Sequence, residues 1–137
     1  MKAIILSAGE GTRMRPLTLT KPKTMLPVAG KPIMQYNIEI LRDNGIKDIL
    51  LIVGYKEDIV KNYFKDGKDF GVNITYKTQT NLAGTANAIS YGKDFIDDNV
   101  IVLNGDLILN NEIIVELLSF YNKEKPDTLM VLKEVED

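Results

Sequence analysis

Ala3-Ile4-Ile5-Leu6-Ser7-Ala8-Gly9-Glu10-Gly11-Thr12-Arg13-Met14-Arg15-Pro16 is the stretch that decides the fold. Nothing between Ala3 and Leu6 is polar, so these residues read as a strand covered on both faces, the kind found in parallel sheets. Glycines follow almost at once, at the carboxyl end of the strand, where open α/β sheets bind their ligands. Gly9 and Gly11 let backbone N–H groups approach phosphate oxygens with no Cβ in the way, and the Arg13 guanidinium can fork two oxygens at once. The chemistry implied is recognition of a polyphosphate.

Outward from this point, apolar runs of strand type alternate with segments of helical period. Pro32 suits a helix start, with Ile33, Tyr36, Ile40 and Leu41 on the inner face and Gly45 as the stop. Asp48–Val53 is the next strand. Ile59, Val60, Tyr63 and Phe64 form a second helical stripe closed by Gly67 and Gly71. Val72, Ile74 and Tyr76 alternate with polar residues, which predicts a less buried strand. A short helix after Gly84-Thr85 is expected to carry Ala88, Ile89, Gly92 and Ile96 inward, and Val100–Leu103 is a buried strand. Asn110 or Asn111 can cap a helix with Ile114, Leu117, Leu118 and Tyr121 inside, and Thr128–Lys133 completes the pattern as a last strand. The expected fold class is α/β: a Rossmann-like, mostly parallel sheet with helices on both faces.

Composition narrows the chemistry. The 137 residues, 45% hydrophobic, can bury one core and are too few for two ordinary domains. With no cysteine and no histidine, thiolate nucleophiles, zinc-thiolate sites and the commonest general base are all excluded. Any metal must be held by oxygen, which favours Mg²⁺ or a similar hard cation. A net charge of −2 argues against broad attraction to nucleic acid. Met1 to Leu6 runs straight into glycines without a signal-peptide pattern, and no window has the length of a membrane span, so a soluble cytoplasmic protein is expected.

Two familiar phosphate loops can be tested against the letters. A dinucleotide-binding loop needs a third small residue that opens a helix, whereas Met14 stands there and Pro16 follows. A Walker A loop needs Gly-Lys-Ser/Thr after its spacer, and that is missing. The loop instead runs on through Pro16-Leu17-Thr18 and Lys21-Pro22-Lys23-Thr24-Met25-Leu26-Pro27-Val28-Ala29-Gly30-Lys31-Pro32. At many spaced positions this whole stretch resembles the signature of the sugar-1-phosphate nucleotidylyltransferases, whose members make activated sugars. The resemblance implies a nucleotide-diphospho-sugar transferase type of fold and transfer of a nucleotidyl group from an NTP to a sugar 1-phosphate. It further implies that Leu6, Ala8, Gly9, Gly11, Thr12 and Arg13 hold the nucleotide. Lys23 would neutralise charge near the α-phosphate, so Arg13 and Lys23 are the expected catalytic residues. Lys23 is framed by prolines, which limits its freedom; Arg15, Lys21 and Lys31 read as surface charge.

Two further places carry the resemblance. Gln79, just past a predicted strand, would bond the base edge, and Gly84 would let backbone groups come close to it, with Thr85 capping the helix. Taken alone, Gln79 would more often be an exposed polar residue. Leu103-Asn104-Gly105-Asp106 ends a buried strand with a turn and a carboxylate, and by resemblance Asp106 is the Mg²⁺ ligand, whereas Asp97, Asp98 and Glu112 read as solvated charges. One departure bears on specificity: Thr24 stands where some relatives carry a glutamine that helps read a pyrimidine, which leaves the base preference open.

The resemblance also implies a longer chain, in which residues 1–137 form the nucleotide-binding part while most of the sugar pocket and a second acidic metal ligand lie outside it. A fragment is then expected to be weakly active or inactive, and its uncovered sheet edge to promote homo-oligomers. Competing expectations are a silent regulatory module of the same fold, which the retention of Arg13, Lys23 and Asp106 argues against, and a nicotinamide-dependent oxidoreductase, which lacks its third small residue.

Overall fold

The computed structural model describes residues 1–135. Four strands, β1 (Lys2–Ser7), β4 (Asp48–Val53), β5 (Asn73–Thr78) and β6 (Val100–Asn104), form one parallel sheet in the order β5-β4-β1-β6. The short strands β2 (Pro27–Val28) and β3 (Lys31–Pro32) pair as a separate antiparallel hairpin. The helices are α1 (Ile33–Asp43), α2 (Glu57–Phe64), α3 (Thr85–Ser90) and α4 (Asn111–Glu124).

Side chains alternate across each strand, so the sheet carries two cores. On one face Ala3, Ile5, Ile49, Leu51, Val53, Ile101 and Leu103 pack with Met34, Ile38 and Leu41 of α1, Val60 and Phe64 of α2, and Ile114 of α4. On the other, Ile4, Leu50 and Ile52 meet Ala88 of α3 and the turn residues Tyr91, Phe95 and Ile96. Helical cover on both faces is therefore as the alternation predicts. β5, at one edge, is the least buried strand of the four-stranded sheet, as its polar alternation predicts.

Three details depart from expectation. The buried stripe of α1 is Met34, Asn37, Ile38 and Leu41, while Ile33, Tyr36 and Ile40 are only partly covered. An apolar residue stood at nearly every turn of this helix, and the choice of face was made by the sheet and by the Asp106 turn that α1 packs against. In α2, Val60 and Phe64 are buried but Ile59 and Tyr63 are exposed, and the helix ends at Lys65, before Gly67. Thr128–Lys133 forms no strand, and Met130 and Leu132 stand exposed. Strand propensity is expressed only against a partner ladder, and among the described residues nothing pairs there.

Candidate active site

The chain leaves β1 toward β4 and β5, then returns to lay β6 on the other side of β1. The order therefore reverses between β1 and β6, and such a switch point opens a crevice beyond the strands' carboxyl ends. A cavity of about 500 Å³ lies there. Its wall includes every residue singled out from the sequence: Leu6, Ala8, Gly9, Gly11, Thr12, Arg13, Lys23, Gln79, Gly84, Thr85 and Asp106. Arg15 and Lys31 instead make surface ion pairs with Glu10 (3.6 Å) and Glu39 (2.6 Å).

The glycine loop is shaped by close packing. Gly11 has φ +62°, and a Cβ there would meet Thr18 Cγ2 at 3.0 Å and Lys23 Cβ at 3.2 Å, so no larger residue fits without displacement. Thr18 is fully buried and its hydroxyl donates to the Gly11 carbonyl (2.7 Å). The Tyr55 hydroxyl donates in turn to the Thr18 carbonyl (2.8 Å), tying the loop to the end of β4. Thr12–Met14 is a single 3₁₀ turn, not the α-helix that a dinucleotide-binding loop opens.

Lys23 begins another 3₁₀ turn, Lys23–Met25. Met25 enters the core, and the Thr24 hydroxyl meets that of Ser7 at 2.6 Å, both buried. Thr24 thus lines the cavity with its hydroxyl already engaged. With its neighbours fixed, the Lys23 ammonium reaches the Asp106 carboxylate, Nζ to Oδ2 3.0 Å. Asp106 is itself tethered: the Gly105 N–H donates to the Leu6 carbonyl (2.9 Å), and Asn37 Nδ2 of α1 donates to the Leu107 carbonyl (2.6 Å).

Gln79 is buried, because its N–H extends the β4 pairing by donating to Val53 (2.8 Å) and its side chain turns into the wall. Its Nε2 donates to the Asn81 carbonyl and to Asn87 Oδ1, both at 3.0 Å. The Tyr91 hydroxyl pins the next residues: it shares a hydrogen bond with the Thr80 hydroxyl (3.2 Å) and accepts from the Thr80 and Asn81 N–H groups. Those bonds, the Thr80 hydroxyl first, hold the phenol below its ordinary pKa. Gly84, at φ +91° and ψ −179°, occupies a region that only glycine populates readily. It stands at the N-cap position with no side-chain cap, so Thr85 is the first helical residue and not the cap expected of it.

Asp106 is the carboxylate on the cavity wall, and among the described residues no three acidic side chains converge on one point. That suits Mg²⁺, which takes one or two carboxylates and completes its shell with phosphate oxygens and water, better than a cation needing a full protein cage. Thr18, Asn37, Tyr55 and Asn87 were not legible as site residues, because each acts through a partner fixed only by folding. Asn37 and Leu107, for instance, lie 70 residues apart.

Comparison with known proteins agrees with this geometry. The family model of the nucleotidyl transferases matches residues 2–137. The chain is 41% identical to the low-salt glycan biosynthesis nucleotidyltransferase Agl11 of Haloferax volcanii, over 100% of this chain and 39% of that protein. It is 36% identical to the UTP–glucose-1-phosphate uridylyltransferase AglF of the same organism, over 99% of this chain and 55% of the relative. Among solved structures, one assigned as a glucose-1-phosphate thymidylyltransferase from Bacillus anthracis superposes with a TM-score of 0.83 at 32% identity, covering 90% of this chain and 51% of that one. The chain thus spans between about a quarter and just over a half of the length of the proteins it matches. On the strength of a match along nearly its whole length, the chain belongs to the nucleotidyl transferase family.

Proposed function

We propose that the protein transfers a nucleotidyl group from an NTP to a sugar 1-phosphate, releasing pyrophosphate, with residues 1–137 as its nucleotide-binding part. One observation carries this reading: a glycine loop, two cations and a carboxylate from separate segments share a single cleft at the strand-order switch. Cytoplasmic location and a homo-oligomeric state belong to the same reading.

The reaction is an in-line attack by a sugar-phosphate oxygen on the α-phosphorus. That oxygen is already anionic near neutral pH, so neither a general base nor a protein nucleophile is needed. A chain without histidine or cysteine is suited to it. What the protein must contribute is positioning and cancellation of charge. Backbone N–H groups around Gly9 and Gly11, with Thr12 and Arg13, hold the outer phosphates; no atom crowds the Cβ position of Gly9, which leaves the backbone accessible there. Lys23 stands beside the α-phosphate and receives charge as the bond to pyrophosphate breaks. Asp106 is the residue that would hold Mg²⁺, which would supply positive charge to offset that of the phosphates. Gln79 and the backbone at Gly84 face the base.

The direct test is pyrophosphate release by the full-length protein, with each NTP paired against a panel of sugar 1-phosphates. Mg²⁺-dependent release with at least one pair is expected. Binding of NTPs with no release from any pair would leave a silent nucleotide-binding module instead.

A further inference from the structure

Gln79 is 7% exposed, and one side of its amide is already committed. Nε2 lies 3.0 Å from the Asn81 main-chain oxygen and 3.0 Å from Asn87 Oδ1. A main-chain carbonyl can only accept, so the group facing Asn81 must be the NH₂, and the orientation of the amide follows without reference to any ligand. With one hydrogen on Asn81, the other goes to Asn87, which must therefore turn its own carbonyl inward. What remains to Gln79 for the cleft is Oε1, a pure acceptor.

We propose that Asn87 is a specificity-determining residue: by holding Gln79 Nε2 it leaves Oε1 to meet the ring nitrogen of the base, selecting uracil, thymine and guanine. These bases carry an N–H at the ring nitrogen of their Watson–Crick edge, whereas cytosine and adenine carry a lone pair there, which Oε1 repels. An unrestrained glutamine could turn over and offer NH₂ to that lone pair. Here the turn would set Oε1 against the Asn81 carbonyl, an obligate acceptor, and would force the Asn87 amide to turn with it. Asn87 acts as a positioning residue, through Gln79, by adding a second acceptor to the Asn81 carbonyl; Asn87→Leu removes that second restraint while Asn87→Asp keeps an acceptor in place.

The inference rests on nucleotide binding as proposed above, and the test separates the two. Thermal-shift titrations of the chain with UTP, dTTP, GTP, CTP and ATP, each with Mg²⁺, give affinity ratios, and the ¹⁵N-labelled side-chain amide of Gln79 is followed by NMR in the nucleotide-free chain. The wild type is expected to favour the N–H bases. In Asn87→Leu the preference should narrow by about three- to tenfold, the worth of one hydrogen bond, with the Gln79 amide signals shifted. Asn87→Asp should weaken all five alike through its added charge and keep the ratio. Preference for CTP or ATP in the wild type, or an unchanged ratio with unchanged amide signals in Asn87→Leu, overturns the inference while nucleotide binding stands. Absence of any NTP-induced shift in the wild type overturns the nucleotide reading, and this inference with it.

Discussion

The part of the cleft around Lys23 and Asp106 and the part around Gln79 rest on opposite faces of the sheet. The first is anchored in the heavier core: Met25 packs into it, Asn37 of α1 holds the turn after Asp106, and α2 and α4 cover the same face. The second leans on α3, a helix of six residues, and on a turn whose Tyr91, Phe95 and Ile96 are only partly buried. Lys23 and Asp106, the charges proposed to meet phosphate and its cation, stand on backbone that the heavier core holds in place. The Gln79 amide, proposed above to select a base, stands on the lighter side, held by hydrogen bonds among a few groups that single substitutions can rewire.

On that contrast, substitutions in the heavy core should unsettle the whole chain. Phe64→Ala, at a residue 1% exposed, is expected to lower unfolding stability by about 3–5 kcal/mol in denaturant titrations. A loss confined to α2, with the rest of the sheet still protected in hydrogen exchange, would break the comparison.

Lys23→Ala should do the reverse, leaving the fold and removing the chemistry. The Lys23–Asp106 pair is more than a third exposed on both sides, so its contribution to stability is at most about 1 kcal/mol. Pyrophosphate release by the full-length protein, by contrast, is expected to fall about 10²- to 10³-fold, and Arg13→Ala should behave similarly. Equal losses of melting temperature and turnover would return Lys23 to a structural role.

Gly11→Ala sits between these cases. Its positive φ and the approach of Thr18 and Lys23 predict a destabilisation of about 1–2 kcal/mol. Weaker NTP binding should accompany it, since the loop must shift to admit the methyl group. A variant with unaltered NTP affinity would show that the loop's shape is not what holds the phosphates.

The smallest effect is expected at the exposed end of β5. The Thr78 hydroxyl donates to Glu57 Oε2 (2.7 Å) and, with Lys61, holds that carboxyl below its usual pKa against the opposing effect of burial. A carboxyl lowered by folding stabilises the native state fully above its unfolded pKa, and the contribution disappears as pH falls through the folded value. Thr78→Val should raise the Glu57 midpoint in an NMR titration and make the stability curve bend at a slightly higher pH on its acid side. An unmoved midpoint would assign the lowering to Lys61.

Much of this architecture was legible in the letters. The wholly apolar run before the glycines could only be an interior strand, and Asn110 does cap α4, its side chain accepting from the Glu112 N–H at 3.0 Å. The residues of the cavity wall were found because the glycine loop marks the carboxyl end of a strand and the resemblance it carries extends to Lys23, Gln79, Gly84 and Asp106. The inner face of α1 was misread because Ile33, Tyr36 and Ile40 satisfy a helical period as well as Met34 and Ile38 do. Period cannot choose between two apolar stripes. Gln79 could not be known as buried from its own neighbourhood, since its cover comes from Asn87 and the wall of the cleft.

By itself the sequence determined the alternation of strand and helix, the lack of any thiol or imidazole in these residues, and which glycine loop closes the end of the first strand. All of these follow from residue type and short spacing. The tertiary structure alone decided that β6 lies beside β1, so that Asp106 comes within 3.0 Å of Lys23, and that the amide of Gln79 is turned with its oxygen free. Those are contacts between residues far apart in the chain or among competing acceptors. Their geometry exists only once the sheet has closed around β1.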